Sequence, residues 1–241
     1  MSIQRILIIS LLIVASCNRG TCNKIFLKDN YKNPFDSTEY YLKLFADDSE
    51  FDIRKFKPLP SLDNWTYGRW SLIDAINPSI PYAYWECRHS RYNGMMPDKE
   101  QLVVYNGDSI TYSDVAKQYK ADFGFFVECH PGICFSNIIA VRHDKTVDII
   151  DDDKKLIQFM GTVDNIEEVI LQIKANGYWY GDDTLIGGAY KEEEDRYLLY
   201  LREWIGCPFT FKSVKAILYK TGKFEEVSKV TYLLTDRCII E

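Results

Sequence analysis

Ile166, Val169, Ile170 and Ile173 recur at three- and four-residue spacing, so they share one face of a helix. Asp164 with Glu167 three residues later has the form of a capping box, and Gly177 supplies a stop. A helix is predicted there. A second, shorter one is expected from residues 151–153 to Met160, because three successive Asp residues suit the positive end of a helix. A third follows the capping-box pattern of residues 36–39, with Tyr40, Tyr41, Leu44 and Phe45 at helical spacing. Elsewhere the pattern is that of strands. Residues 82–88 alternate, and residues 101–105 run into Asn106-Gly107-Asp108, a hairpin turn with residues 110–112 as the returning strand. Ser113 is then expected to cap a short helix through Tyr119. Residues 123–128, 135–142 and 146–150 read as a three-stranded meander, and residues 214–219 and 224–230 as a hairpin closed by Lys220-Thr221-Gly222-Lys223. Residues 190–205 are ambiguous: Glu192, Glu193 and Glu194 favour helix, while residues 197–201 fit a buried strand, and the strand is preferred. The whole predicts an α+β fold, predominantly antiparallel sheet with a few packed helices.

Composition narrows the class without naming a function. With 46% hydrophobic and 27% charged residues the chain is globular. A net charge of −6 leaves no basic surplus, so nucleic acid is not an expected partner. Pro58, Pro60, Pro78 and Pro81 punctuate residues 58–81, the one seam at which a single domain over residues 36–241 could divide.

The first residues set the compartment. Arg5 precedes an apolar run over residues 6–14 broken only by Ser10, followed by the small residues Ala15 and Ser16. As a helix this run covers about 14 Å, half of a ~30 Å hydrocarbon core, so it reads as the apolar part of a secretory signal over residues 1–16. Val14-Ala15-Ser16-Cys17 resembles the lipobox of bacterial lipoproteins, with Val where Leu is commonest. The resemblance implies that Cys17 is acylated and becomes the first mature residue, and that residues 17–35 tether the fold to a membrane. Asn18, where inner-membrane retention would have Asp, implies outer-membrane sorting in the cell envelope. The other reading is an ordinary signal cleaved near Ser16. No later stretch reaches eighteen apolar residues, so no spanning helix is expected.

Export makes the remaining cysteines candidates for disulfides. Setting Cys17 aside leaves Cys22, Cys87, Cys129, Cys134, Cys207 and Cys238, an even number. Cys129 and Cys134 flank a four-residue loop, His130-Pro131-Gly132-Ile133, and cysteines facing each other across such a turn lie within disulfide reach. The same segment admits a zinc site or a catalytic thiolate, but no CxxC accompanies it and strand-like flanks do not depress a thiol pKa. No metal or cofactor is expected.

Candidate ligand-binding residues are Trp65, Tyr67, Trp70, Tyr84, Trp85 and Arg88, in an aromatic zone interleaved with Asp, Asn and Arg that suits a sugar or peptide. Core packing is the competing role, since rings alternating along a strand put half of themselves inside. The acidic runs at residues 151–153, at Asp182-Asp183 and at residues 192–195 lack the spacing of a calcium loop, and none of His89, His130 and His143 stands in a hydrolase motif. The function expected is therefore a lipid-anchored binding module for a glycan, peptide or envelope protein. The alternative is an envelope hydrolase using a Cys/His or paired-carboxylate site.

Overall fold

A computed structural model describes residues 50–61, 72–93, 96–97, 101–127, 133–181 and 184–234, all within one folded unit that begins at Thr38. The expected signal and tether, Cys17 and the helix expected from residue 36 lie outside these residues. The architecture is α+β, built on two antiparallel sheets. In the first, β1 (Lys57–Pro58), β7 (Ala189–Glu192), β8 (Arg196–Gly206), β9 (Phe209–Tyr219) and β10 (Phe224–Leu234) lie in that order. In the second, β2 (Tyr84–Asn93) lies between β5 (Ile133–Val141) on one side and β3 (Met96–Pro97) with β4 (Gln101–Gly107) on the other, and β6 (Val147–Ile150) is the edge beyond β5. Among the described residues no helix is long and apolar enough to cross a membrane.

Among the described residues three helices with full bounds accompany the sheets: α1 (Ser109–Ala116), α2 (Asp153–Met160) and α3 (Ile166–Ala175). Each has a side-chain cap. Asp152 accepts from Lys155 N at 2.7 Å, and Asn165 from Glu168 N at 2.8 Å. The cap of α3 is thus one residue later than the sequence pattern placed it, and Glu168 rather than Glu167 reaches back, to the N–H of Asp164 at 3.0 Å. Gly177, at φ +79°, ends α3, where the N–H of Tyr178 donates to the carbonyl of Ile173.

The main core contains Trp85 and Ile138 from the second sheet, Leu156 and Phe159 from α2, Val169, Ile170 and Ile173 from α3, and Tyr197, Leu199 and Leu201 from β8. Leu59 and Leu72 join it, so residues on both sides of Pro60 share one interior with the two sheets. A second cluster on the other face of the first sheet gathers Leu198, Tyr200 and Tyr232 against Phe51, Ile53 and Phe56. Residues 197–201 are therefore buried on both faces, which is why they read as an unbroken apolar run instead of an alternating one. The acidic residues before them form the turn between β7 and β8, resolving the ambiguity as a hairpin.

Two local expectations are corrected. The chain after Gly107 does not return as a strand: Asp108 caps α1 by accepting from Thr111 N at 3.1 Å, and β4 pairs instead with β2. Ile110, expected on a strand face, is 94% exposed on that helix, and Ser113 lies inside it, not at its cap. Residues 123–127 contribute one bridge, Phe125 to Ser136, instead of a strand, because Phe126 takes φ +56° and breaks the ladder. The β5–β6 pair of the expected meander is present.

Gly107 has a further constraint. It sits at φ +95°, and a Cβ built there falls 2.3 Å from the carbonyl oxygen of Ala83. Gly107→Ala is expected to cost about 1–3 kcal/mol, since both the backbone conformation and the close approach are lost. Urea denaturation followed by fluorescence measures it. A loss under a few tenths would contradict the role given to this contact.

Candidate functional site

Of the six candidate ligand-binding residues, Tyr84, Trp85 and Arg88 lie within the described part, whereas Trp65, Tyr67 and Trp70 lie outside it. All three described residues are buried, at 1%, 3% and 7% exposure. Strand alternation on β2 sends Trp85 to the main core and Tyr84, Glu86 and Arg88 to the opposite face, under α1. There the Glu86 carboxylate accepts from the Tyr84 hydroxyl and from Arg88 Nε. The Arg88 guanidinium also donates to the carbonyls of Tyr119 at 2.8 Å and Ala116 at 2.9 Å, holding the C-terminal end of α1. These residues present no surface to a ligand. Arg88 is a clamp between a strand and a helix.

The other polar candidates are likewise engaged in the framework. His89 Nδ1 lies 3.3 Å from the Ser136 hydroxyl, but Ser136 is completely buried between strands, so no substrate reaches that oxygen. The thiol of Cys87 is buried and lies 3.9 Å from the carbonyl of Arg88. Cys134 is buried and disulfide-bonded; Cys129, its expected partner, lies outside the described residues, as do His130 and Asp182-Asp183. His143 packs edge-on against Tyr112, and its neighbour Asp144 accepts from Thr146 N and Oγ1, a turn role. Asp148 accepts from the Tyr82 hydroxyl at 2.9 Å and pairs with Arg142, and burial with this bond pushes the phenol up to about 12. Among the described residues no three His, Cys, Asp or Glu side chains come together as a metal set.

Glu168 is the most unusual acid described. It is fully buried at the start of α3 and accepts from the N–H of Asn77 at 2.8 Å and of Asp164 at 3.0 Å, tying the loop before β2 to the helix. Burial raises its pKa despite these donors. A carboxyl raised on folding binds a proton more tightly in the native state. Its contribution to stability is therefore fully present below the unfolded value near 4.5 and is lost as pH rises through the raised native value. Asp52, Asp108 and Glu203 are lowered by hydrogen bonds from Arg54, Thr111 and Lys229, and they contribute with the opposite sign, losing stability as pH falls. Glu168→Gln isolates the one group. Its stability deficit relative to wild type is expected to be largest near pH 4 and to shrink towards pH 7, as measured by denaturant titrations at each pH. A deficit that grows with pH would reverse the assignment.

A different set of side chains forms an accessible polar and aromatic surface. At the far ends of β8 and β9, on the face away from the main core, Trp204, Phe209 and Phe211 are half-buried. Their ring centroids are 6.5 Å and 4.8 Å apart in sequence along this row, and Phe211 stacks on Tyr232 of β10 at 5.9 Å. Arg202 places its guanidinium 4.7 Å over the Phe211 ring, and its backbone pairs with that of Trp179, whose side chain is 40% exposed. Lys174 sits 4.9 Å over the Trp179 ring. Rings flanked by cations offer apolar area and oriented donors together, the combination that binds sugars and peptide side chains. The apolar pattern predicts this strand only from residue 214, whereas β9 begins at Phe209, so the row lies outside the predicted element. The available signal was the alternation of Arg202 with Trp204 and of Phe209 with Phe211 across the Cys207-Pro208 turn.

The fold and this surface define an α+β protein with a part-exposed aromatic row at one sheet end. No known protein family, curated protein or solved structure matches the chain.

Proposed function

We propose that the chain is a lipid-anchored cell-envelope protein whose folded body is a non-catalytic binding module for a glycan, peptide or partner protein, docked on the aromatic row around Arg202. The observation that carries the placement is the order of residues 5–17: one cation, an apolar run, two small residues and Cys17. Two or three acyl chains on Cys17, each buried methylene contributing ~0.8 kcal/mol, hold the protein at a bilayer permanently. Asn18 favours the outer membrane. A Cys129–Cys134 bridge fits the oxidising compartment that export implies. The binding role is supported by where the ionisable groups are used: Glu86, Arg88, Asp148 and Glu168 join framework elements, whereas the row at Trp204, Phe209 and Phe211 remains part-exposed.

Labelling cells that express the chain with an alkyne fatty acid tests the placement. The wild-type protein is expected to take up label and to remain with membranes, and Cys17→Ser to lose the label completely. A mature protein whose intact mass shows no acyl group, or an equally labelled Cys17→Ser variant, rejects this reading.

A further inference from the structure

We infer that the aromatic row takes a polypeptide segment presenting an aromatic side chain beside a carboxylate, and not a glycan; this deepens the binding role given to the row and relies on it. The ring faces decide against a sugar. β9 lies between β8 and β10, so Phe211 has a neighbour on each side: the Arg202 guanidinium of β8 lies 4.7 Å over its ring, and the Tyr232 ring of β10 stacks on it at 17° and 5.9 Å. Both faces of Phe211 are therefore covered, and the part of this half-buried ring open to solvent is its edge. Phe209 meets Phe211 at 69°, and Trp204 lies at 56° to Phe209, so successive rings turn edge to face. A sugar lays its C–H groups on an open, flat ring face, and covered, tilted rings give no coplanar platform for successive sugar units.

An aromatic side chain suits the same arrangement. Ring edges are positive and ring faces negative, so a further ring added edge to face continues the pattern that joins Trp204, Phe209 and Phe211. The register leaves a place for it. Trp204 stands opposite Phe211 and Gly206 opposite Phe209, so on this face the corner next to both Trp204 and Phe209 carries no side chain. Charge selects the second feature. Arg202 lies within the row, and Trp179, opposite Arg202 across a backbone bridge and so on the same face, carries the Lys174 ammonium 4.9 Å over its ring. Glu203, between Arg202 and Trp204 in sequence, faces the other side of the sheet, where it pairs with Lys212 and Lys229. Arg202 and Lys174 thus bring positive charge to the row in a chain of net charge −6. Their N–H groups only donate, which matches carboxylates and backbone carbonyls, whereas sugar hydroxyls call for donors and acceptors together.

Saturation-transfer NMR of the full chain in perdeuterated detergent tests this with three probes. Two are end-blocked tetrapeptides, glycyl-phenylalanyl-aspartyl-glycine and glycyl-phenylalanyl-lysyl-glycine, and the third is chitohexaose. The phenyl protons of the aspartyl peptide are expected to be saturated at least threefold more strongly than those of the lysyl peptide or the sugar protons, and to fall to background in Trp204→Ala. Thermal unfolding followed by circular dichroism checks that this variant is folded. Lys174→Glu, a change outside both sheets, provides a second check: it is expected to weaken the aspartyl peptide several-fold and to favour the lysyl one. Trp204-dependent saturation of chitohexaose with both peptides silent would overturn the inference while leaving the row as a binding surface. Probes that are all silent, or all indifferent to Trp204→Ala, would overturn the binding role of the row as well. Equal saturation of the two peptides, or a preference unchanged by Lys174→Glu, would overturn the carboxylate and with it the inference.

Discussion

Arg88→Met is expected to lower stability by about 3–5 kcal/mol, because it leaves the Glu86 carboxylate charged in the interior and removes the donors to two carbonyls at the end of α1. Both partners are nearly inaccessible, at 4% and 7% exposure, so water cannot replace the lost bonds in place. Glu86→Leu alone is also destabilising, since the guanidinium then lacks its counter-charge. The combined Glu86→Leu/Arg88→Met protein is the informative one. With both charges removed, no ion remains buried without compensation, and the double substitution should cost less than the sum of the singles by about 2 kcal/mol. Urea titrations of the four proteins in a double-mutant cycle measure this coupling. Single losses below 1 kcal/mol with no coupling would mean that the contacts between β2 and α1 contribute little.

Why this pair escaped sequence reading explains much of what else was and was not legible. Arg88 interacts with Ala116 and Tyr119, 28 and 31 residues away, and nothing local in Glu86-Cys87-Arg88 announces that a helix end will lie above them. Features set by neighbouring residues were readable. The face of α3, the Asp cap of α2 and the turn at residues 220–223 each depend on a few consecutive side chains, and each is present as expected, with the α3 cap moved by one residue. Features set by a competition between two local signals were not. Asn106-Gly107-Asp108 has the chemistry of a hairpin turn and of a helix cap, and here it serves as the cap: Asp108 accepts from Thr111 N while β4 pairs with β2. The row at Arg202 shows a third limit. Its residues alternate properly, but only the register of β8 with β9, Trp204 opposite Phe211 and Gly206 opposite Phe209, shows that rings separated by a turn become neighbours.

Trp85→Ala is expected to cost about 3–5 kcal/mol and to lower the unfolding temperature by about 10 °C or more, whatever ligand is present. The indole is 3% exposed and meets the Phe159 ring edge-on, with centroids 5.8 Å apart. Phe159 in turn contacts Tyr82 at 5.4 Å, so one indole joins β2 to α2 within the main core. Truncation leaves a cavity that neither β2, hydrogen-bonded to strands on both edges, nor α2, capped at Asp152 and stopped at Gly161, can collapse to fill. Trp85→Phe retains most of the apolar area and should cost well under half as much. Differential scanning calorimetry of both variants separates the two roles this residue could have. A tryptophan that binds ligand at a surface tolerates Ala with an unchanged unfolding temperature, so an unaltered transition in Trp85→Ala would return this ring to the list of recognition residues and remove it from the core.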